Sequence, residues 1–373
     1  MAFVERYIRS DAAGGNDGTQ EIDAGGGVGP WTLAEGFAHT DGAGVRGNIQ
    51  NDSDYTIGAT TIAQAGTQQA HTVYRGYDTS IGDLEGQGRN KDTTLDTTDF
   101  PAITLTGKLT AAAYVDLESL VFAGSITDVL INGGGDNTTI TSCSITNSAT
   151  GSTQIQCAVL AKSAMVANSD IECSGASHGI IVSMSYTASF VGNRVITTDS
   201  DPCVSLPRGA VEDNTFIGTT VTGVGVAWIN VSEYGGCLTK NNTFYDLGTC
   251  VTFPAFAWSA TPVLINNHAT DSTKWIDNLY SGTALQSVIE INNRLRDITV
   301  DPRTTLGDGV LIGEVSTDTG GWATDYENAP TGNLRLIEDA PGAGAGLTAY
   351  EDIGAYQREP SAGGRPEIRG SNL

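Results

Sequence analysis

A short motif recurs about every 25 residues through the middle of the chain, and this repeat constrains the fold more than any other feature. Each copy starts with a small polar residue, usually asparagine, and continues into residues rich in β-branched or aromatic side chains. The copies begin at Ser142, Asn168, Asn193, Asn214, Asn242, Asn267 and Asn293. Repeats of this length are typical of solenoids, in which each unit stacks on its neighbours.

A second motif recurs out of phase with the first. It is four residues long, its second and fourth positions are apolar, and its copies begin at Cys157, Gly179, Cys203, Gly225 and Cys250. Alternation with a period of two is typical of a strand with one buried face, and no 3.6-residue apolar period indicates helical repeats. We therefore predict an all-β parallel β-helix with about 25 residues and about three strands per coil.

The recurrent asparagines have a physical reason to occupy one corner of each coil. Asparagine tolerates the left-handed backbone conformation of a sharp bend, and its amide can bond to the equivalent asparagine one coil away. We therefore interpret them as a structural ladder and not as catalytic residues. The predicted ladder contains Asn168, Asn193, Asn214, Asn242, Asn267 and Asn293.

The two ends of the chain differ from the repeats. Thr32 and Glu35 form a capping-box pattern before an apolar face, which predicts a short helix over 32–39 that closes the first coil. After residue 300 the pattern gives way to sequence rich in Gly, Pro and Asp. We therefore divide the chain into an N-terminal cap (1–99), the β-helix (100–300) and a C-terminal cap with an irregular, extended tail (301–373).

Composition narrows the classes of function. With 19 Lys and Arg against 43 Asp and Glu, the net charge is −24, so we expect no binding to nucleic acid. The sequence has no apolar run that would span a membrane, and its six cysteines lack the spacing of a metal site. We expect no cofactor and no bound metal. The first residues lack a secretory signal, so we expect the protein to stay in the cytosol or to leave the cell by lysis within a particle.

Three cysteines share one column of the repeat. Cys157, Cys203 and Cys250 fall on alternate coils, which stacking places about 9 to 10 Å apart, beyond the reach of a disulfide. We interpret them as small apolar residues that fill the core.

Motifs near both ends resemble those of right-handed, single-stranded parallel β-helix proteins of the pectate-lyase-like superfamily. Tyr7–Thr19, Trp31–Glu35 and Tyr74–Tyr77 are similar to the opening strand, cap helix and first coils of that superfamily, and Asp352–Gln357 is similar to the end of many bacterial and phage members. The resemblance implies the fold but no single activity. The superfamily includes polysaccharide lyases, hydrolases, phage tailspikes and structural virion proteins.

Candidate catalytic residues are sparse. A pectate lyase needs carboxylates on one face to hold Ca²⁺ and an arginine or lysine base beside them. The best such cluster contains Asp199, Asp201, Asp213, Arg194 and Arg208, although it also fits a polar turn before a strand. The polygalacturonase-like pattern is represented only by Asn168–Asp170 and by Ser177–Gly179, which includes His178. We therefore predict no complete catalytic set.

Two functions remain, and we favour the first. The first is a structural virion protein of a bacteriophage, a capsid decoration protein or a component of a tail spike or fibre, built as a homotrimer. It would contact other virion proteins, and the tail arginines Arg358, Arg365 and Arg369 would dock against an acidic neighbour.

The second function is a polysaccharide lyase or glycoside hydrolase that acts on acidic or host-surface glycans. Its groove would be lined by outward carboxylates and by the aromatic residues Trp228, Trp258 and Tyr234. These aromatic residues fit a core or a contact between subunits at least as well.

Overall fold

The chain folds as a parallel β-solenoid with three long sheets that run along its length. The computed structural model describes residues 3–85, 95–133, 137–149, 156–159, 161–162, 165–173, 182–185, 187–198, 200, 202–220, 222–229, 236–253, 262–278, 287–300, 310–312, 315–318, 326–328 and 333–336. The prediction of an all-β parallel β-helix with coils of about 25 residues is confirmed.

Sheet 1 is the longest sheet and has twelve described strands. Its strands are Val4–Ile8, Val45–Gln50, Thr72–Tyr77, Val115–Glu118, Thr139–Thr141, Met165–Ala167, Thr187–Val191, Arg208–Glu212, Cys237–Lys240, Val263–Ile265, Ser287–Ile291 and Val310–Ile312. Three of its strands lie within residues 1–99, where we expect the opening strand and the first coils, and Val310–Ile312 lies after residue 300.

Sheet 2 has eleven described strands. They are Tyr55–Ile57, Ala102–Leu105, Val121–Gly124, Ser144–Asn147, Asp170–Cys173, Arg194–Thr197, Thr215–Gly218, Thr243–Tyr245, His268–Thr270, Asn293–Arg296 and Val315–Asp318.

Sheet 3 is formed by a block of four strands and a block of six strands. The first block contains Thr60–Ile62, Leu109–Ala111, Val129–Gly133 and Gln156–Val159, and the second contains Ala161–Lys162, Val182–Ser185, Pro202–Leu206, Val224–Trp228, Thr249–Phe253 and Lys274–Asn278. A separate antiparallel hairpin joins Tyr326–Asn328 to Asn333–Leu336.

Coils in the middle of the chain follow the same path. From Val115 to Asn278 the chain leaves sheet 1, turns through a two-residue bend into sheet 2, continues into sheet 3 and returns to sheet 1, whereas Thr72–Tyr77 reaches sheet 2 through a long connection. Ile171 pairs with Ile145 on one side and with Val195 on the other, and Val195 pairs with Phe216. Because the strands stack in register, residues one repeat apart lie one above another along the solenoid.

The interior of the solenoid is a continuous apolar core. Phe190, Phe216 and Phe244 stack along it, with ring centroids 6.2 and 5.1 Å apart, and all three are fully buried. Aromatic side chains of this size bury large areas, so such a stack stabilises neighbouring coils against one another.

A short helix, Leu33–Ala38, lies against the first coils, close to the predicted range 32–39. Thr32 and Glu35 form the capping box, since the Thr32 backbone N–H donates to Glu35 Oε2 at 2.9 Å and the Glu35 N–H donates to Thr32 Oγ1 at 3.3 Å. Phe37 packs edge-on against Tyr74 at 5.2 Å, which buries the apolar face of the helix.

Candidate functional site

The bends between sheets 1 and 2 use two adjacent positions for two different tasks. The first position has a left-handed backbone, with φ between +51° and +57° where it is not glycine and +68° at Gly192. Its non-glycine occupants are Ser119, Ser142, Asn168, Asp213, Asn241, Asn266 and Asn292. The second position is buried and points its side chain along the solenoid axis. Asparagine suits both positions, one through its backbone and the other through its amide.

The second position forms an inner ladder of buried asparagines. In each rung the side-chain N–H donates to the Oδ1 of the next asparagine at 2.9 to 3.1 Å, and that Oδ1 also accepts the backbone N–H at 2.8 to 3.0 Å. The members are Asn193, Asn214, Asn242, Asn267 and Asn293.

Asn168 does not belong to the inner ladder, although the sequence alignment places it there. Ser169 holds the equivalent position, since its N–H donates to Asn193 Oδ1 at 3.0 Å and its Oγ accepts the Cys143 N–H at 3.1 Å. Asn168 is the exposed bend residue with φ of +51°. The alignment slips by one residue because asparagine occurs at either of the two bend positions.

A second, outer ladder runs beside the inner one in the opposite hydrogen-bonding direction. Asn292 donates to Asn266 at 3.0 Å, Asn266 donates to Asn241 at 2.8 Å, and Asn241 donates to Asp213 Oδ1 at 3.0 Å. Asp213 therefore ends this ladder as a charged acceptor. Asp213, a candidate catalytic carboxylate in the sequence, thus forms a hydrogen bond that stabilises the bend.

The other members of the predicted catalytic cluster do not join Asp213 in the described part of the chain. Arg208 is half-buried on sheet 1, and Arg194 lies 3.8 Å from Asp170. Asp199 and Asp201 lie outside the described residues. Among the described residues no group of three or more His, Cys, Asp or Glu side chains is arranged to hold a metal ion.

Of the predicted aromatic and tail residues, Trp228 lies within the described part of the structure. Trp228 is 1% exposed and its indole N–H donates to Thr239 at 3.3 Å, so it is a core residue and lines no groove. The remaining candidates, His178, Tyr234, Trp258, Arg358, Arg365 and Arg369, lie outside the described residues.

A polar pocket of about 270 Å³ lies on the outward side of sheet 1, in the N-terminal half of the solenoid. Its wall combines one guanidinium, two carboxylates, hydroxyl groups and an amide. The lining residues are Arg75, Gly76, Glu85, Glu118, Ser119, Thr141, Ser142 and Asn168. Strand stacking places them together, because Arg75 pairs directly with Glu118 and Glu118 with Thr141 on successive coils.

Arg75 is the centre of this pocket and is held by polar contacts. Its side chain is nearly buried, its Nε donates to Asn48 Oδ1 at 2.8 Å, and it forms an ion pair with Glu85. Asn48 is fully buried and in turn donates to Glu5 Oε2 at 2.8 Å. These contacts fix the guanidinium at the wall of the pocket.

The pKa values of two of the charged groups of the pocket wall are shifted in opposite directions. Burial raises the pKa of the Glu118 carboxyl and Asp116 raises it further, while Arg75 counteracts both. Burial, followed by the nearby Arg46, lowers the pKa of the Arg75 guanidinium. A carboxyl with a raised pKa beside a fixed cation can donate a proton or bind hydroxyl groups, so the pocket has the groups needed to bind a polyhydroxylated ligand.

Sequence reasoning did not identify this pocket. Its residues come from four coils and from the connection that contains Glu85, so no short motif contains them. The available signal was Arg75 itself, a cation between Tyr74 and Tyr77 in a strand whose six residues are all buried.

Three aspartates stack at a different corner, between sheets 2 and 3. Asp246, Asp271 and Asp297 each have a left-handed backbone, with φ of +54°, +49° and +51°. Burial raises the pKa of Asp271 to about 6, and the negative charges of Asp297 and Asp246 add to the effect. Nothing further in the described structure indicates a ligand for this stack.

The cysteines that the structure describes as free are all buried: Cys143, Cys173, Cys203, Cys237 and Cys250. Burial raises the thiol pKa of Cys143, Cys237 and Cys250 to about 12, so these thiols are unreactive at neutral pH. The side chain of Cys157 lies outside the described residues.

Comparison with known proteins supports the fold. No known protein family matches the sequence, and no curated protein does so either. A solved structure, the crystal structure of pectate lyase Pel9A, is similar with a TM-score of 0.51 and 13% identity, over 96% of this chain and 97% of that chain. At this identity the likeness shows a shared β-helix fold and no shared activity. In the described part of the chain, no helix is long and apolar enough to cross a membrane.

Proposed function

We propose that the protein is a structural component of a bacteriophage particle, either a capsid decoration protein or part of a tail spike or fibre, in which three copies form a homotrimer. The observation that supports this proposal is the pair of ladders at the bends. Five buried asparagines and the outer ladder that ends at Asp213 bond successive coils along one corner. A particle protein must stay folded outside the cell, and a solenoid bonded at its bends resists local opening.

The direct test is quantitative mass spectrometry of gradient-purified particles from a culture that carries the gene. We expect the chain to co-sediment with the major capsid or tail proteins at a fixed stoichiometry. The chain should stay with the particles through a high-salt wash. Recovery of the chain only from the supernatant would contradict the proposal.

The proposed docking of the tail has its own test. A chain that lacks residues 358–373 loses Arg358, Arg365 and Arg369. We expect this chain to fold normally by circular dichroism but to be incorporated into particles at least ten-fold less. Replacement of the three arginines by lysine keeps the charge and serves as the control. Normal incorporation of the truncated chain would refute a docking role.

The second candidate function is that of a polysaccharide lyase or glycoside hydrolase, or of a spike that binds host-surface glycans. The pocket at Arg75 favours it, because the fixed guanidinium and the Glu118 carboxyl lie beside hydroxyl and amide groups. Such a mixture of groups suits the hydroxyl groups and carboxylates of a glycan.

The test is to incubate the purified chain with acidic polysaccharides, with and without Ca²⁺, and to measure chain length and unsaturated products. We expect any activity to fall at least 100-fold in Glu118→Gln and in Arg75→Lys. Lys108→Gln removes an exposed ion pair with Asp128 and is the matched control. Equal activity in the unchanged chain and all three variants would exclude the pocket as the active site.

A further inference from the structure

The outward residues of sheet 1 change character along the solenoid. In the N-terminal coils they include Arg46, Arg75, Asp116 and Glu118. In three successive C-terminal coils five outward residues are aliphatic, and we name them the aliphatic face: Leu238, Val263, Ile265, Ile289 and Ile291. Ile291 is 39% exposed and the other four are half-buried.

The register of the strands makes the aliphatic face one continuous patch. Leu238 pairs with Val263 and Val263 pairs with Ile289, while Ile265 pairs with Ile291 in the next column. Side chains at paired positions on one face of a sheet lie in contact distance. Parallel strands that are apolar on both faces are typical of sheets that are covered on both sides.

The other two sheets expose less apolar surface in the described part of these coils. On sheet 2 the outward residues Thr243 and His268 are 2% and 1% exposed. On sheet 3 all five residues of Thr249–Phe253 are buried. Within the described part of these coils, sheet 1 is therefore the sheet that presents aliphatic side chains to solvent on its outward side, while the outward Tyr245 of sheet 2 is half-buried.

The net charge of −24 opposes association of two copies over most of their surfaces, so a contact between copies requires a surface where the local charges are balanced. The surroundings of the aliphatic face have this property. On the described strands of sheet 1 next to the aliphatic face, the outward charged residues are Arg208, Glu212 and Lys240, two cations and one anion. Glu212 and Lys240 lie on adjacent coils, so Lys240 of one copy can meet Glu212 of another at the rim.

We infer that the aliphatic face is the contact surface between copies of this chain, with the solenoids side by side. The inference rests on the homotrimer of the proposed function and identifies the surface that forms it. In a three-fold arrangement the aliphatic faces of all three copies would lie toward the symmetry axis, so each apolar patch would meet the patches of both other copies.

The test is the native mass of the full chain in solution, measured by light scattering at micromolar concentration. We expect the mass of a trimer for the unchanged chain and a three-fold lower mass for Ile265→Glu combined with Ile291→Glu. The matched control is Thr56→Glu combined with Thr104→Glu, which changes two exposed residues that pair on adjacent coils of sheet 2. The control should retain the trimer mass.

A second, milder double variant shows whether the glutamate variant is monomeric because the interface is lost or because the chain is misfolded. Ile265→Thr combined with Ile291→Thr keeps β-branched side chains that favour strands, and should keep the circular dichroism spectrum while it weakens association at least ten-fold. The inference would be overturned if the unchanged chain were a monomer, or if the glutamate and threonine variants of the aliphatic face both formed trimers. A trimer that is absent from particles would instead refute the virion role and leave the interface intact.

Discussion

Replacement of Asn242 by alanine tests how strongly the inner ladder holds the coils. The Asn242 side chain takes part in four hydrogen bonds inside a fully buried corner. It accepts the backbone and side-chain N–H groups of Asn214, both at 3.0 Å, and it donates to Val211 O at 2.8 Å and to Asn267 Oδ1 at 3.0 Å.

The size of the stability loss depends on which hydrogen-bond partners of Asn242 keep another hydrogen bond. Asn267 Oδ1 still accepts the backbone N–H of residue 242, and Asn214 Nδ2 still donates to Phe190 O. The Asn214 backbone N–H loses the acceptor that the side chain provided. Four net hydrogen bonds at about 1 kcal/mol each, including one buried donor left unsatisfied, amount to a loss of roughly 3–5 kcal/mol.

Hydrogen exchange measured by mass spectrometry is the appropriate assay, because coils of a solenoid open locally. We expect amides in the strands next to Asn214 and Asn242 to exchange at least about 100-fold faster in Asn242→Ala, which corresponds to roughly 3 kcal/mol. Asn51→Ala removes one half-exposed side-chain bond to Asp78 and is the control, with a change of about 0.5 kcal/mol. Protection within two-fold of the unchanged chain at Asn214 would refute the reasoning.

Three further predictions concern single positions. Ser169→Asn extends the inner ladder by one rung and should raise the free energy of unfolding by about 1 kcal/mol; denaturant unfolding checks this, and a clear loss of stability would contradict it. The pKa of Asp271 is about 6 against an ordinary value of 3.8, so the folded chain holds this proton more tightly and stability should fall as the pH rises from about 4 to 6. Because the group is only half-buried and solvent screens it in part, we expect a loss of only about 1 kcal/mol. Asp271→Asn should abolish this loss in unfolding curves across that range, and an unchanged pH dependence would argue against it. Gly209→Ala places a Cβ 1.9 Å from a backbone oxygen of the neighbouring coil, at φ of +126°, and should destabilise the chain by roughly 2 kcal/mol or more. Gly236→Ala should be neutral, because its added Cβ would meet no described atom within 4 Å. Equal melting temperatures for the two variants would refute this prediction.

Local patterns in the sequence were sufficient for the fold. Strand alternation and the spacing of the repeats predicted the stacked coils, and Thr32 with Glu35 predicted the helix Leu33–Ala38. The ladder could be predicted only to within one residue. Asn168 and Ser169 exchange the expected roles because the bend selects for backbone conformation at one position and for side-chain hydrogen bonding at the next.

The surfaces were much harder to predict, because they combine residues from several coils. Arg75, Glu85 and Glu118 meet through strand stacking and a long connection, and neither is visible as a motif. The aliphatic face left a clearer signal in Val263–Ile265 and Ser287–Ile291, whose apolar residues are nearly continuous. That signal was obscured by the expectation of one buried face per strand.

The most direct test of the account is cross-linking within assembled particles. Ile291→Cys places a thiol in the exposed part of the aliphatic face, and the free cysteines that the structure describes are buried and will not react. With a short bis-maleimide, we predict that purified particles that carry this variant give covalently linked copies of the chain, and that particles with the unchanged chain do not. Particles that contain the variant but give only single chains would contradict the proposal that this face joins copies in the virion.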